Sequence, residues 1–508
     1  MQTSEIPEDW QALHPTMLLF GSGEMISRLI LPLVFVFLLN PASFGMMFWV
    51  GIAVLTSMST LLARYASFRY ATIDGSICIR EGIFSKKVRR IPAKRIHNIN
   101  IRQNLVARRL NVVRLDIETA GGGAAEASLP ALSHGEAQRL FAYWRREKSG
   151  EIEAADTQLL AEDDATPFYR ISHRDILVAG ATTHRLGIIF VAFAGLFQLF
   201  EDRIFNSMAG QGPELLQQGV ETVQGLGDQS WWQVALLVCG TLITLLFTAW
   251  MLSIITAFIR WYQFTIRHNH DSVSIKTGLF TLRQYNFPLN KVQALRCRIT
   301  PLRRPLGLMQ IFVQSAGHVG FQDGGQGESD LLVPITAVKQ TQHFVQCVWP
   351  NAGWNHLAWR PVHKYTRTRQ FRQLLLLLAV LITALIAVYA GETWAQTLAV
   401  LLTVIGIPAS WVIAHATWRQ TGYAFDLRFV YVKTGFLGLH YWVIPLSKIQ
   451  NAAVHQTPFQ YVRGLAELQL DVAGSGSGAI FIPNIDVKEA WLMFNRFINP
   501  RPGTDAGW

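Results

Sequence analysis

Two hydrophobic patterns alternate along this chain. Six stretches are apolar with almost no charge, near residues 17–39 and 44–63, 184–200 and 231–259, and 371–389 and 394–417. A helix that crosses a bilayer needs about 20 such residues, so each pair predicts a membrane hairpin. The first hairpin turns at Asn40-Pro41. After each hairpin the pattern changes. Val113, Leu115 and Ile117, then Met309, Ile311 and Val313, then Ala466, Leu468 and Leu470 recur at every second position. A period of two predicts a strand with one buried face.

These strands belong to a block of about forty residues present three times without insertion or deletion. Gly82, Gly278 and Gly435 begin it, Pro92, Pro288 and Pro445 follow, and Ala120-Gly121, Ala316-Gly317 and Ala473-Gly474 close it. Asn111, Gly307 and Gly464 precede the alternating strand, and these residue types tolerate positive φ. The segments before them, 301–306 and 458–463, predict one helical turn or a loop. Glycine-rich connections follow at 121–123, 324–327 and 474–478; without a following Lys-Ser/Thr they are not P-loops and are read as hairpin loops. A short strand ending at Pro130, Pro334 or Pro483 comes next. Each copy finishes with an amphipathic helix carrying Leu140, Phe141 and Trp144, or Phe344, Val345 and Trp349, or Trp491, Phe494 and Phe497. Short antiparallel strands capped by one C-terminal helix outline a pleckstrin-homology-like (PH-like) barrel.

The predicted fold is membrane α-helical hairpins plus β: six transmembrane helices in three hairpins, each followed by a PH-like barrel with a capping helix. The predicted domains are an N-terminal segment and hairpin 1 (1–63), PH-like domain 1 (64–148), an acidic linker (149–182), hairpin 2 (183–259), PH-like domain 2 (260–350), a basic linker (351–370), hairpin 3 (371–418) and PH-like domain 3 (419–498).

The motifs of the block resemble the bacterial PH-domain membrane proteins of the YdbS/YdbT type, and among them the larger three-domain form. The likeness rests on the strand end Gly82-Ile83-Phe84, on Ile91-Pro92-Ala93-Lys94-Arg95-Ile96, on Glu118-Thr119-Ala120-Gly121, on Leu13-His14-Pro15 and on Arg360-Pro361-Val362-His363. It covers nearly the whole chain. Leu105 departs from the pattern, standing where the other copies have Pro301 and Pro458. The resemblance implies a smaller membrane partner with one hairpin and one PH-like domain, assembly into an oligomer, and a role in envelope integrity or stress defence. It also permits headgroup binding on the basic loop between the first strands.

Charge sets the expected orientation. The hairpin turns are neutral or acidic: 40–43 has no charge, 391–393 only Glu392, and 201–230 has five acidic residues against Arg203. Arg64, Arg260 and Arg419 follow the hairpins, and basic residues gather on that side. Lysines and arginines stay cytoplasmic, so both termini and all three repeats are expected on the cytoplasmic face of the bacterial inner membrane. Glu5, Glu8 and Asp9, with no basic residue before 24, predict an uncleaved anchor rather than a signal peptide.

The whole chain of 508 residues carries +11, which calls for an anionic partner. The copies differ. Residues 64–148 have 17 Lys/Arg against 7 Asp/Glu, residues 260–350 have 10 against 4, and residues 419–497 have 7 against 5. The candidate lipid-binding residues are Lys86, Lys87, Arg89, Arg90, Lys94 and Arg95; the competing reading is a solvated hairpin that only enforces topology. The first copy is expected to face the bilayer and the third to face protein. Aromatic residues are not interleaved with the basic run as base stacking requires, which argues against nucleic acid.

No HExxH, GxSxG or Walker A motif and no paired metal-ligand spacing occurs. His268-Asn269-His270 reads as a polar turn. Cys78, Cys239, Cys297 and Cys347 form no CxxC pair and read as reduced and structural. The expectation is a scaffold with no enzymatic activity, cofactor or metal. The alternative, a lipid or small-molecule transporter gated by the PH-like domains, is disfavoured by the scarcity of charge within the spans.

Overall fold

The computed structural model describes residues 10–19, 44–82, 85–119, 127–149, 167–183, 231–269, 272–315, 331–355, 357–389, 391–473 and 479–498. The chain forms two compact units, one of residues 1–169, 265–276 and 280–508, the other of residues 170–264 and 277–279.

In the larger unit the first repeat runs Arg69–Ile73, Ser76–Glu81, Lys87–Pro92, Ile96–Asn104, Val112–Thr119 and Ala127–Ser133, then the helix His134–Ser149. Asp74 and Gly75 join the first two strands at φ +40° and +65°. Both values are positive, as a two-residue hairpin turn of the Asp-Gly kind requires. A single 3-10 turn, Ala93–Arg95, separates the third strand from the fourth. One core unites the two halves: Tyr70, Ile77 and Ile91 from the first, Ile99, Leu115 and Leu129 from the second, Leu140, Phe141 and Trp144 from the helix. The third repeat has an equivalent core, with Val430, Ile444, Leu468, Ile482 and Phe497. Trp491, on the helix Val487–Ile498, is exposed.

Two short strands from lead-in segments join the sheets that follow them. Gln11 and Ala12 pair with Tyr70 and Arg69, and Arg360 and Pro361 pair with Tyr423 and Gly422. The lead-in motifs are anchored too: His14 N–H donates to the Ala131 carbonyl and His363 N–H to that of Asn484.

The expectation of three self-contained barrels changes here. The 3-10 turn breaks each repeat into two half-sheets, and the second half of one repeat pairs with the first half of the next. Strand Ile96–Asn104 is antiparallel to Thr281–Pro288, with Gln103 opposite Leu282 and Arg102 opposite Arg283. Strand Val292–Ile299 is antiparallel to Leu439–Pro445, with Ile299 opposite Leu439 and Arg298 opposite His440. Counted from Gly82, Gly278 and Gly435, these are equivalent positions, so both junctions have one register. At the second junction Leu295, Cys297 and Val443 are fully buried. Burial pushes the Cys297 thiol up to about 12. The Arg296 guanidinium lies over the Phe312 and Trp442 rings at 5.0 and 5.5 Å, and Lys448 Nζ donates to the Asn290 carbonyl at 2.8 Å.

The predicted strand ends at Pro130, Pro334 and Pro483 are corrected. The strands continue to Ser133, Ala337 and Asp486. Each proline sits in a β-bulge of an outermost strand, where the ladder does not need its missing N–H. Asn111, Gly307 and Gly464 have φ +55°, +62° and +63°, as expected.

Two helices of this unit, Tyr365–Val388 and Thr393–Gln420, are long and apolar enough to cross a membrane. They form a hairpin, with Phe371 edge-on to Trp411 at 5.3 Å. Among the described residues these two alone of the six predicted spans meet that length and hydropathy. The predicted spans 44–63 and 231–259 lie within the helices Phe44–Ser67 and Trp231–Trp261, and Leu246–Trp261 is a shorter apolar stretch. The spans 184–200 and nearly all of 17–39 lie outside the described residues, as do the acidic linker 149–182 in large part and the glycine-rich loops.

In the smaller unit, helix His173–Ala181 packs closely on Trp231–Trp261. A Cβ at Gly180 would meet Ile254 Cα at 2.8 Å. Ser253 Oγ donates to the Gly180 carbonyl at 2.9 Å and Trp250 Nε1 to that of Ala181 at 3.2 Å.

Two outcomes are expected. Gly435 has φ +137°, and a Cβ there would collide with the Gly438 carbonyl; Gly435→Ala should cost about 1–3 kcal/mol, read as a lower thermal midpoint in detergent, while Gly51→Ala in open space should not. Burial, with Arg298 and Arg296 nearby, holds the His440 imidazole below its ordinary 6.5. Only the folded state resists this proton, so its stabilising contribution is full above pH 6.5 and falls as pH drops through that value toward the folded one. His440→Asn should flatten the acid loss of thermal stability between pH 8 and 5; equal losses in both proteins would refute this.

Candidate membrane-facing surface

The six candidate residues lie along one edge of the first domain. Lys86 precedes strand Lys87–Pro92, which carries Lys87, Arg89 and Arg90; Lys94 and Arg95 sit on the 3-10 turn that follows. The turn is fixed by the Ala93 N–H, which donates to the Gly75 carbonyl at 2.7 Å. Lys86, Lys87, Lys94 and Arg95 are exposed. Arg89 and Arg90 are engaged within the domain: Arg89 Nη2 is 3.3 Å from Glu81 Oε1, and Arg90 Nη2 is 3.4 Å from Asp74 Oδ2. The cluster is therefore four outward cations at the two ends of a strand, with two internally paired arginines between them.

A second feature was not anticipated. The helical turn before Asn111, Gly307 and Gly464 is an exposed tip in all three repeats, and it combines large apolar side chains with arginine. The first tip, helix Leu105–Arg109, exposes Leu105, Val106, Arg108, Arg109 and the adjoining Leu110. The second exposes Leu302, Arg304 and Leu306. The third, helix Pro458–Tyr461 and the residues after it, exposes Phe459, Tyr461, Val462 and Arg463, with Val462 82% exposed.

One position in each tip points inward: Ala107, Arg303 or Gln460. Arg303 Nη1 donates to the Pro334 carbonyl at 3.2 Å. Burial, with Arg298 nearby, lowers the Arg303 guanidinium to about 10. Gln460 Nε2 donates to Asn484 Oδ1 at 2.8 Å, and Asn484 Nδ2 to Thr366 Oγ1 at 3.0 Å. Local capping adds rigidity. Thr457 and Gln460 form a reciprocal capping box, and Asn104 Oδ1 accepts from the Ala107 N–H at 2.7 Å. The apolar residues outside are thus presented by turns that are held in place from inside.

Two tips lie at the ends of the apolar hairpin. Arg463 is over the Tyr365 ring at 4.6 Å, and Arg372 is over the Phe459 ring at 5.8 Å. Tyr365 opens the helix Tyr365–Val388 and Arg372 lies two turns in. In the second tip, Arg304 Nη1 donates to the Phe436 carbonyl at 3.1 Å and lies 3.4 Å from Gln420 Oε1, at the end of helix Thr393–Gln420. The signal was present in sequence as Leu-x-x-Arg-Arg, Leu-Arg-Arg and Phe-x-Tyr-Val-Arg, but helical periodicity cannot be read over one turn.

Among the described residues no group of three His, Cys, Asp or Glu side chains is placed to hold a metal. His268 lies within strand Thr265–Asn269, 6.2 Å from the Phe168 ring.

The family model described as bacterial PH domain matches residues 27–148, 219–346 and 373–495. The chain is also similar to UPF0699 transmembrane protein YdbT of Bacillus subtilis (strain 168), 24% identical over 485 residues that cover 91% of this chain and 92% of that protein. No solved structure matches it significantly. With three matches spanning most of its length, the chain belongs to the bacterial PH domain family.

Proposed function

We propose that this protein is a non-enzymatic, multi-pass scaffold of the bacterial inner membrane. Six helices in three hairpins anchor it, and three fused PH-like domains lie on the cytoplasmic face. The domains rest against the anionic leaflet and hold a further protein there, either a smaller membrane protein with one PH-like domain or another copy of this chain.

The observation that carries this reading is the set of equivalent tips. Exposed leucine, valine, phenylalanine and tyrosine beside arginine suit the bilayer interface, where apolar side chains enter the headgroup boundary and cations meet anionic lipid. The contacts of the second and third tips with the hairpin ends support that placement. The third domain joins the first in facing lipid on this reading, with aromatic area in place of charge. Lys86, Lys87, Lys94 and Arg95 add an electrostatic term, each basic residue contributing about 1 kcal/mol near an anionic surface.

Depth measurement tests the placement. A fluorophore on Val462→Cys in the full chain, reconstituted in bilayers, should be quenched by brominated lipid. The same label on Leu427→Cys should not, because Leu427 lies past the far end of the strand Gly422–Phe425 that leaves the helix. Equal quenching at both sites would sink the reading. For the basic cluster, reversal of Lys86, Lys87, Lys94 and Arg95 to Glu in the full chain should reduce the phosphatidylglycerol retained after detergent extraction, about fivefold per charge removed. Unchanged retention would leave those residues as topology determinants only. Purification in mild detergent should yield a stoichiometric protein partner or a multimer, and a lone monomer would count against the scaffold.

A further inference from the structure

The two junctions inside the chain leave one half-junction at each end. Among the described residues, strand Lys87–Pro92 is the outermost strand of the first sheet, and Ile449–His455 is the outermost strand of the last. Their equivalents are not outermost. Thr281–Pro288 and Leu439–Pro445 are covered by the preceding repeat, and Ile96–Asn104 and Val292–Ile299 by the following one. Burial follows the pairing. Val88 is 54% exposed, and Lys87 and Arg90 are exposed, whereas the equivalents of these three in the third repeat, Tyr441, His440 and Val443, are at least half-buried. Asn451 and His455 are exposed on the other strand.

We propose that copies of this chain assemble head to tail, the strand Ile449–His455 of one copy pairing antiparallel with the strand Lys87–Pro92 of the next. The proposal goes beyond the membrane-facing reading and does not depend on it, because the edge pairing requires no lipid.

The register follows from the internal junctions. Gln103 opposite Leu282 and Ile299 opposite Leu439 become Gln456 opposite Lys86. Arg102 opposite Arg283 and Arg298 opposite His440 become His455 opposite Lys87. Ile101 opposite Gln284 and Cys297 opposite Tyr441 become Val454 opposite Val88. Leu295 opposite Val443 becomes Ala452 opposite Arg90. The match is sterically permissive: the small Ala452 and Ala453 face the long Arg90 and Arg89. Basic residues on an edge usually oppose strand addition, yet the first junction already seats Arg102 against Arg283, with Arg102 Nε held 3.0 Å from Asp116 Oδ2.

The other outermost strands do not compete for this role. Ala127–Ser133, Leu331–Ala337 and Ile480–Asp486 each carry a proline bulge, and Gln11–Ala12, Tyr169–Arg170 and Arg360–Pro361 are only two residues long; both devices blunt an edge. A second copy is the occupant favoured here, because it supplies the missing half-junction in the register used twice already. Such a heterologous contact repeats into a ring or an open array.

Cross-strand cysteines read this directly, since opposed residues of an antiparallel pair fall within disulfide reach. Full-length Val88→Cys and Val454→Cys chains with different tags are co-expressed and oxidised in native membranes. The expected product is a reducible dimer carrying both tags, and the double variant should give a ladder of multiples. Moving the second cysteine to Ala453, which faces the other side of the strand, should return the signal to the background of the single variants. Absence of the mixed dimer, closure of the double variant within one chain, or capture of a different protein in place of the second copy would each overturn the proposal. The lipid-quenching result stands or falls separately.

Discussion

Everything in the larger unit depends on how the backbone hydrogen bonds of the half-sheets are completed. Each repeat is broken by a 3-10 turn, and each half-sheet therefore ends on a strand whose outward N–H and C=O groups need partners. At the two internal junctions the adjacent repeat provides them. The register has no slack there: a slip of one residue would turn Leu295 and Cys297 from the core to the outer face. The cost would be the exposure of fully buried side chains and the loss of the Arg296 stack between Phe312 and Trp442. The three PH-like domains are accordingly not beads on a string. A change in one junction strand is felt by two domains at once.

The same pairing ties the sheets to the apolar hairpin. This hairpin interrupts the third sheet, because one strand precedes it and others follow. Arg360-Pro361 enters the third sheet, the chain leaves through Tyr365–Val388 and returns from Thr393–Gln420 directly into Gly422–Phe425. Trp418 Nε1 donates to the Val362 carbonyl at 3.0 Å, closing the two feet of the hairpin. The sheet is thereby held at both helix ends, and the neighbouring tips inherit a defined place relative to them.

The strands and turns of the three PH-like repeats were legible in the sequence, because they rest on local chemistry. Period two marked the strands, Gly or Asn marked the positive-φ turns at 111, 307 and 464, and the aromatic pattern marked the capping helices. The lead-in motifs around His14 and His363 were visible, although not their role as strands. The junctions were not legible. Pairing between repeats depends on which edge meets which, and alternation along a strand carries no such information. Pro130, Pro334 and Pro483 misled for a related reason: proline reads as a strand end, while an edge bulge absorbs it. Of the candidate cluster, the sequence could not separate Arg89 and Arg90, which Glu81 and Asp74 engage, from the outward Lys86, Lys87, Lys94 and Arg95. The tips escaped because a single turn has no period to detect.

The fall in charge from the first repeat to the third invites the conclusion that membrane attachment weakens in the same order, but the tips argue otherwise. Attachment at a bilayer interface sums an electrostatic term per cation and a hydrophobic term per buried area. The first repeat offers many cations and modest aliphatic side chains, Leu105, Val106 and Leu110. The third offers few cations but Phe459, Tyr461 and Val462, whose larger apolar area supplies the other term at roughly 25 cal/mol per Å² buried. On the membrane-facing reading the repeats exchange one contribution for the other. Salt would then loosen the first domain and leave the third in place, since screening acts on charge and not on apolar burial.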